Sequence, residues 1–254
     1  MIRKIVKKFI PNFILKYREK YAVYKIRNKF LKMKQYEIFK QIYLHQLWSP
    51  EDKKKDHKFY SGTGSYLPEL VNAYFSAIEK FFISLPKKPN VVDLGCGDFT
   101  IGSKIRKMCN NYTAIDIYDE LISFNKKKYE NLNVDFKALD ITVDKLPPGD
   151  VCLVRQVLQH LSNESIMNFI KNIENKYKYL IITEHFPSPN NFIPNKDKPT
   201  GPDTRFYDNS AVVLTAPPFN LKVNKDIDIC ETTSDSIQGV LNTKILELKN
   251  YNFK

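Results

Sequence analysis

The feature that most constrains the fold is a short apolar strand that runs directly into a glycine loop. Residues 91–98 read Val-Val-Asp-Leu-Gly-Cys-Gly-Asp, and a helical pattern follows from Phe99. Glycines permit the tight turn and let a ligand approach the backbone where a Cβ atom would collide. Open parallel sheets bind ligands at the carboxyl ends of their strands. We therefore expect the loop to form part of a nucleotide-type binding site.

Strand and helix patterns alternate along most of the chain. Strands are predicted at 90–94, 112–117, 134–138, 151–155 and 179–184, and helices at 66–85, 99–108, 119–130 and 165–175. This order predicts a parallel sheet covered by helices on both faces. Two final strands, near 220–229 and 240–248, lack a helical connection. The predicted fold is thus α/β, a doubly wound, seven-stranded, mostly parallel Rossmann-like sheet with an antiparallel C-terminal hairpin.

The chemistry of the loop distinguishes two classes of nucleotide cofactor. A dinucleotide fingerprint has a third glycine, where this chain has Thr100, and it places pyrophosphate on the helix N-terminus. Asp98 would repel pyrophosphate there, whereas Asp93 suits a cationic ligand. S-adenosylmethionine (SAM) carries a sulfonium and an ammonium group and no phosphate, so the loop favours SAM. The predicted loop contacts are Asp93, Gly95, Cys96 and Gly97.

Two further strand ends carry carboxylates. Asp116, followed by Ile117, ends the second strand and can accept hydrogen bonds from both ribose hydroxyls. NAD-binding proteins also bind ribose hydroxyls with an acidic residue at this position, so Asp116 indicates a ligand that contains adenosine but does not distinguish SAM from NAD. Asp140 and Ile141 follow the third strand, where they can place a carboxylate near the adenine amino group and an apolar side chain on its ring. A lone Asp is often a helix cap or turn residue, but the ordered series favours the cofactor.

The segments VVDLGCGDFT, YTAIDI, ALDI and VRQVLQHLSNES, in this order, resemble the class I SAM-dependent methyltransferases. The resemblance covers about residues 60–185. FYSGTGS and the later PPFN resemble methyltransferases of bacterial capsule and surface-glycan gene clusters, some of which are associated with an O-methyl phosphoramidate decoration. The resemblance implies that the segment before the first domain helix closes over the cofactor. Its implied contacts to the methionine end are Tyr60, Ser61 and Gly62.

Candidate residues for the chemistry follow the fourth and fifth strands. His160 has an unperturbed pKa suited to a general base for a hydroxyl acceptor, although it could instead only hold its loop. His185 is the second candidate. Arg155 and Gln156 end the fourth strand, beside the expected methionine moiety.

The Pro- and Asn-rich segment 186–218 is expected to form a lid or binding loop. Arg205 and Tyr207 within it are predicted acceptor contacts, because a guanidinium pairs bidentately with phosphate or carboxylate. The alternative is a solvated Arg in a mobile loop. No cluster of residues has metal-ligand spacing, so no metal is expected. The four cysteines form no CxxC pair and are expected to be reduced thiols.

The positive charge is concentrated at the N-terminus. The chain has 40 basic and 28 acidic residues; 13 basic and two acidic residues fall in 1–40, which leaves 27 and 26 in the remainder. The neutral remainder argues against a nucleic-acid partner. Residues 1–47 are read as a basic helical extension and 48–254 as the methyltransferase domain.

The extension also has an amphipathic pattern, from Ile2 to Tyr17, interrupted by Pro11. Such an arm could lie on an anionic membrane, contact a second subunit or pack on its own domain. No apolar run approaches the ~20 residues that span a bilayer. The expected location is cytoplasmic, with peripheral contact at the inner membrane face as one role for the arm.

The predicted function is O-methyl transfer from SAM to a small polar precursor of a bacterial surface glycan. Acceptors considered are a sugar, a nucleotide sugar and a phosphoramidate group. Two alternatives stay open, an NAD-dependent oxidoreductase or epimerase and a non-catalytic SAM-binding scaffold. An RNA methyltransferase is a third, weakened by the neutral body. Oligomeric state is left open.

Overall fold

The computed structural model describes residues 12–50, 52–54, 57–187 and 191–249. The α-helices in these ranges are α1 (Asn12–Phe30), α2 (Gln35–Leu44), α3 (Pro68–Ser84), α4 (Thr100–Ile105), α5 (Asp119–Lys128) and α6 (Asn163–Ile173). The strands are β1 (Val91–Leu94), β2 (Tyr112–Asp116), β3 (Asp135–Ala138), β4 (Val151–Arg155), β5 (Tyr179–Phe186), β6 (Val223–Ser234) and β7 (Ile237–Leu248). Short 3-10 turns include Thr63–Ser65, Leu158–His160 and Arg205–Asp208.

The seven strands form one sheet in the order β3-β2-β1-β4-β5-β7-β6. The first five in this order pair in parallel, and β7 is antiparallel to both β5 and β6. The predicted α/β fold is confirmed, including the C-terminal hairpin. The direction of strand progression reverses between β1 and β4, where a crevice opens at the carboxyl ends of the strands.

The central strands are buried on both faces, as their nearly continuous apolar sequences require. Val92 and Val154 face a cluster that contains α6, whereas Val91 and Leu153 face α3. Helix α2 joins the first cluster through Ile38, Phe39 and Ile42, which are all buried. Part of the N-terminal extension is therefore packed into the core of the sheet domain. The predicted boundary between residues 47 and 48 stays a prediction.

The long segment between β5 and β6 is held by side chains that bond to backbone. The Asn195 amide donates to the carbonyls of Val213 and Pro217, each at 2.8 Å. Arg205 is 1% exposed, and its guanidinium donates to the carbonyls of Lys196 and Leu158, each at 3.1 Å. It also donates to Asn163 Oδ1 at 2.7 Å. The alternative of a solvated Arg205 therefore does not hold, because the residue is buried and fixes this segment to the turn after β4.

Helix α1 is joined to the same segment by charge. Arg27 Nε donates to Asp203 Oδ2 at 2.9 Å, and both terminal nitrogens of Arg27 bond to the carboxylate of Asp208. Lys198 Nζ lies 3.7 Å from the other oxygen of Asp203. These four residues couple the position of α1 to the segment that follows β5.

Replacing Arg205 by Ala should destabilise the fold strongly. The change leaves several buried carbonyls without donors and opens a cavity, so the free energy of unfolding should fall by about 3 kcal/mol. Urea unfolding measures the loss. Arg18→Ala, at an exposed arginine of α1, is the control and should change stability by less than about 0.5 kcal/mol. Equal effects of the two substitutions would contradict the structural role of Arg205.

Candidate active site

A cavity of about 300 Å³ opens at the carboxyl ends of β1, β2 and β4. Most of the residues that were predicted for the site line it. They are Ser61, Gly62, Asp93, Gly95, Cys96, Gly97, Asp116, Ile117, Ile141, Arg155, Gln156, His160 and His185. Parallel strand ends bring these positions together although they lie more than 120 residues apart in sequence.

The glycine loop is a point of close contact between three chain segments. Gly95 has φ +79°, and a Cβ atom there would lie 2.4 Å from Val157 Cγ2. Gly97 has φ +56°, and a Cβ atom there would lie 2.3 Å from Ser61 Oγ. Both positions therefore need glycine for conformation and for space. The loop is closed on one side by the turn after β4 and on the other by the segment before α3.

Asp116 is fixed at the end of β2 by backbone donors. Gly97 N–H donates to Oδ2 at 3.0 Å and Tyr118 N–H donates to Oδ1 at 3.2 Å. Burial raises the pKa of Asp116 to about 6, although these N–H groups favour its ionised form. The carboxylate lines the cavity in a fixed orientation, as recognition of a diol by both oxygens requires.

Asp93 lies near the end of β1. Its carboxyl is 8% exposed, and the Tyr112 hydroxyl donates to Oδ2 at 2.8 Å. Burial raises the pKa of Asp93 to about 7, and the nearby Asp116 acts in the same direction. A cationic group placed beside Asp93 would hold it in the ionised form.

Asp98 has a role that the sequence reasoning did not anticipate. Its carboxylate accepts hydrogen bonds from Ser61 N–H at 3.0 Å, Tyr66 Oη at 2.6 Å and Thr100 N–H at 3.0 Å. In return, Asp98 N–H donates to Ser61 Oγ at 2.7 Å. These bonds clamp the segment before α3 onto the glycine loop. They also place a carboxylate at the start of α4, where a dinucleotide would place its pyrophosphate.

Arg155 is a buried cation at the end of β4. Its Nη2 donates to Gly64 O at 2.7 Å, its Nη1 donates to Gln156 Oε1 at 3.1 Å, and the guanidinium lies 5.0 Å above the centroid of the Tyr74 ring. Its Nε is buried without a hydrogen-bond partner. No carboxylate of the described residues forms an ion pair with Arg155 within 4.0 Å. The cavity wall thus includes a buried cation with one donor that has no partner.

His160 lines the cavity as a neutral imidazole. Burial, with the nearby Lys198, lowers the pKa of His160 to about 3. Nδ1 lies 3.3 Å from Asp203 O, so this nitrogen carries the proton and donates it. Nε2 then keeps its lone pair toward Gln159 Nε2 at 3.3 Å. Gln159 also lines the cavity, and its Oε1 is buried without a hydrogen-bond partner.

His185 has a different environment. Its Nε2 donates to the carbonyl of Gln238, and its ring stacks on Phe206 with centroids 4.8 Å apart. Burial lowers the pKa of His185. Because Nε2 of His185 donates to a carbonyl, it carries the proton and has no lone pair to accept one, whereas Nε2 of His160 does.

Four predicted residues do not line the cavity. Tyr60 is buried behind the wall and stacks on Tyr66 with centroids 4.4 Å apart. Asp140 accepts from Thr142 Oγ1 at 2.6 Å and from Gln35 Nε2 at 2.9 Å, so its carboxylate is used within its own turn and by α2. The other two are Arg205 and Tyr207.

The acceptor role predicted for Arg205 and Tyr207 therefore needs correction. The guanidinium of Arg205 already donates to the carbonyls of Leu158 and Gln159, which follow β4. Tyr207 is 53% exposed and lies outside the cavity wall. Their neighbours Pro202 and Thr204 line the cavity instead.

Several wall residues come from the N-terminal extension or from the residue that directly follows it, and they were not expected. They are Gln35, Phe39, Tyr43 and Trp48. Trp48 Nε1 donates to Pro202 O at 3.0 Å, and its ring lies 4.8 Å from that of His160. The aromatic residues of α2 carried a usable signal, since their periodic spacing predicts a packed face. The distribution of charge had instead indicated that the basic extension lies outside the site, because the remainder of the chain is nearly neutral.

Comparisons with known proteins agree with this architecture. Residues 91–178 match a family model described as a methyltransferase domain. The N-methyltransferase NodS from Bradyrhizobium japonicum, solved in complex with S-adenosyl-L-homocysteine (SAH), is 13% identical with a TM-score of 0.55; the alignment covers 80% of this chain and 96% of NodS. A SAM-dependent methyltransferase from Leishmania major is 16% identical with a TM-score of 0.57, over 86% of this chain and 88% of that one. None of the curated proteins searched matches this sequence. The chain thus has the Rossmann-like methyltransferase fold.

Two properties of the described residues concern membranes and metals. None of the helices in the described ranges combines the length and the apolar character that crossing a bilayer requires. Within the same ranges, no group of three or more His, Cys, Asp or Glu residues is arranged to hold a metal ion.

The raised pKa of Asp93 makes stability depend on pH. A folded-state pKa of about 7, against the ordinary value of 3.8 for an aspartate, means that folding favours the protonated form. The contribution of Asp93 to stability is therefore lost as pH rises from about 4 to 7. Asp93→Asn keeps the shape and removes the buried charge. The variant should gain stability relative to the parent as pH rises from 5 to 7, by about 1 kcal/mol or more, and the gain should level off above 7.

Urea unfolding at pH 5, 6, 7 and 8 measures this difference. Asp135→Asn, at an exposed carboxylate of β3, is the control and should show no such trend. A difference between Asp93→Asn and the parent that does not change with pH would contradict the raised pKa.

Proposed function

We propose that this protein is a SAM-dependent methyltransferase that transfers a methyl group to a hydroxyl of a small polar acceptor. One observation carries the proposal. A carboxylate at the end of β2, Asp116, is held by Gly97 N–H and faces the cavity, while Asp98 occupies the start of α4. The Asp116 carboxylate suits a ribose diol. The Asp98 carboxylate would repel a phosphate at the start of α4.

The cavity wall provides a group for each part of SAM. Asp116 would bind the ribose hydroxyls, and the apolar side chains of Ile117 and Ile141 would contact the adenine. Asp93 would face the ammonium group, and the guanidinium of Arg155 would bind the carboxylate of the methionine moiety. The match to a methyltransferase domain and the SAH complex of NodS support SAM as the cofactor.

The NAD-dependent alternative conflicts with the charges of the loop. Pyrophosphate carries two negative charges, and it would meet Asp98 and lie near Asp93 and Asp116. Asp98 cannot turn away without giving up its three hydrogen bonds to Ser61, Tyr66 and Thr100. The binding measurements below do not exclude a non-catalytic SAM-binding scaffold. A measurement of turnover distinguishes that alternative from an enzyme.

The acceptor end of the cavity offers hydrogen-bond acceptors rather than cations. Gln159 Oε1 has no partner, and His160 Nε2 has a lone pair that accepts only from the neighbouring Gln159 Nε2, at 3.3 Å. Trp48 provides an aromatic wall beside them. Such a site fits a hydroxyl donor on a ring with apolar faces, as a sugar has. We therefore keep a sugar or nucleotide-sugar precursor of a surface glycan as the proposed acceptor.

The phosphoramidate acceptor is less suited to this cavity. Its proposed partner was Arg205, which is buried and bonded elsewhere. Arg155 is the one Arg or Lys that lines the described cavity, and it is assigned to the methionine carboxylate. A phosphoryl group at the acceptor end would thus lack a pairing cation.

The residues of the chain mainly align the acceptor. The sulfonium group of bound SAM supplies an activated methyl carbon. The acceptor hydroxyl would replace Gln159 Nε2 as the donor to His160 Nε2, which would take the hydroxyl proton as the oxygen attacks. Gln159 Oε1 would accept a hydrogen bond from a neighbouring hydroxyl of the acceptor and so orient it. The lowered pKa of His160 keeps it neutral, and hence able to accept a proton, at every pH near neutrality. It also makes His160 a weak base, so alignment contributes more than basicity.

Asp116→Ala should weaken binding of SAH by well over tenfold, because the ribose loses both of its acceptors. Calorimetric titration measures the affinity. Asp135→Ala on the neighbouring strand β3 removes the same charge from an exposed position and should bind as the parent does. NAD should give no heat and no thermal protection. Unchanged affinity in Asp116→Ala, or protection by NAD alone, would overturn the cofactor assignment.

His160→Ala should lower turnover by at least tenfold while leaving SAH affinity nearly unchanged. A transfer screen with labelled SAM against sugars, nucleotide sugars and phosphoramidates identifies the acceptor for this assay. Gln159→Leu should raise the KM for the acceptor more than it lowers kcat. His45→Ala, outside the cavity, is the control. Full activity of His160→Ala would remove its role as base, and SAM binding without transfer to any acceptor would favour the scaffold alternative.

A further inference from the structure

Helix α1 exposes a row of aromatic and apolar side chains that the proposed chemistry does not use. The row consists of Ile14, Tyr17, Tyr21 and Tyr24, which we call the tyrosine face. Their exposed fractions are 38%, 72%, 51% and 61%. Their spacing of three, four and three residues places them on one side of the helix. Large side chains that remain exposed together indicate an interaction surface.

Basic residues border the tyrosine face on both sides. Arg18 and Lys25 lie along one side and Lys20 along the other, and all three are exposed. Lys25 Nζ lies 5.0 Å from the centroid of the Tyr21 ring. The sequence of α1 contains six basic residues and one acidic residue. A partner of this surface must therefore be anionic.

A second copy of the chain does not meet this requirement. The three-four spacing resembles the seam of a coiled coil, in which the bordering positions decide which helices pair. Two copies of α1 would bring Arg18, Lys20 and Lys25 of one helix against the same residues of the other. Like charges at these positions are unfavourable, and the single acidic residue of the helix cannot balance them.

The tyrosine side chains distinguish between the possible anionic partners, which are a helical protein, a membrane surface and a nucleic acid. A helical protein partner would bury the seam, and the tyrosine hydroxyls would lose water without a replacement. At a membrane surface the rings can enter the interface while the hydroxyls stay hydrated, and lysine stems extend toward the headgroups. For a nucleic acid, the nearly neutral remainder of the chain offers no second basic surface.

We propose that α1 lies on an anionic lipid surface through the tyrosine face and its basic borders. Nineteen residues of helix extend over about 28 Å, which is long enough for a peripheral contact parallel to the membrane. Each bordering Lys or Arg adds attraction to anionic headgroups. The ionic contacts of Arg27 with Asp203 and Asp208 hold α1 to the segment that contributes Pro202 and Thr204 to the cavity. Docking would thereby fix the orientation of the cavity relative to the membrane.

Vesicle flotation of the full chain tests the proposal. The parent should float with vesicles that contain phosphatidylglycerol and stay behind with pure phosphatidylcholine. One variant combines Tyr17→Ser, Tyr21→Ser and Tyr24→Ser, and another combines Arg18→Gln, Lys20→Gln and Lys25→Gln. Each should lower the partition coefficient on anionic vesicles at least tenfold. Neither should change SAH affinity, which separates this test from that of the cofactor.

A matched control removes three charges elsewhere. Lys126, Lys127 and Lys128 are exposed at the end of α5, and changing all three to Gln should leave flotation unchanged. The proposal is overturned if the parent does not float, or if the α5 variant loses binding as much as the α1 charge variant. It is also overturned if the serine variant binds vesicles normally, or if the tyrosine face proves to be needed for dimer formation or for RNA binding instead.

Discussion

The contact between the glycine loop and the two segments that close on it is the constraint on which the cavity depends. Gly95 leaves room for Val157 of the turn after β4, and Gly97 leaves room for Ser61 of the segment before α3. Gly97 N–H also orients Asp116 from β2. One short loop thus positions a carboxylate, a wall and a covering segment. A side chain at either glycine would separate these parts.

Buried carboxylates follow from this arrangement. The ends of β1 and β2 and the glycine loop that follows β1 bring Asp93, Asp98 and Asp116 close together, and all three are buried. Asp98 is compensated by three donors, whereas burial raises the pKa of both Asp93 and Asp116. A cavity that holds carboxylates in this state gains from a ligand that brings positive charge and hydroxyl donors. The sulfonium, ammonium and ribose groups of SAM provide these features together.

Much of the fold and half of the site chemistry could be predicted because they depend on pattern. Alternating strands and helices, the glycine loop and the Asp at the end of β2 are readable in sequence, since parallel strand ends must meet at one edge. The direction of a side chain is not readable in this way. Asp140 and Arg205 have the residue types that a ligand site needs, yet other groups of the protein already bond to both of them. Asp140 accepts from its own turn and from Gln35, and Arg205 donates to Lys196 O and Leu158 O. The contribution of α2 and Trp48 to the wall was also hidden, because it depends on packing between segments far apart in the chain.

A crystal structure of the protein with SAH bound tests the central claim most directly. We expect both ribose hydroxyls to lie within hydrogen-bond distance of the Asp116 carboxylate and the methionine carboxylate to contact the guanidinium of Arg155. Binding of SAH elsewhere, or in this cavity with Asp116 and Arg155 both left without contact to it, would contradict the account.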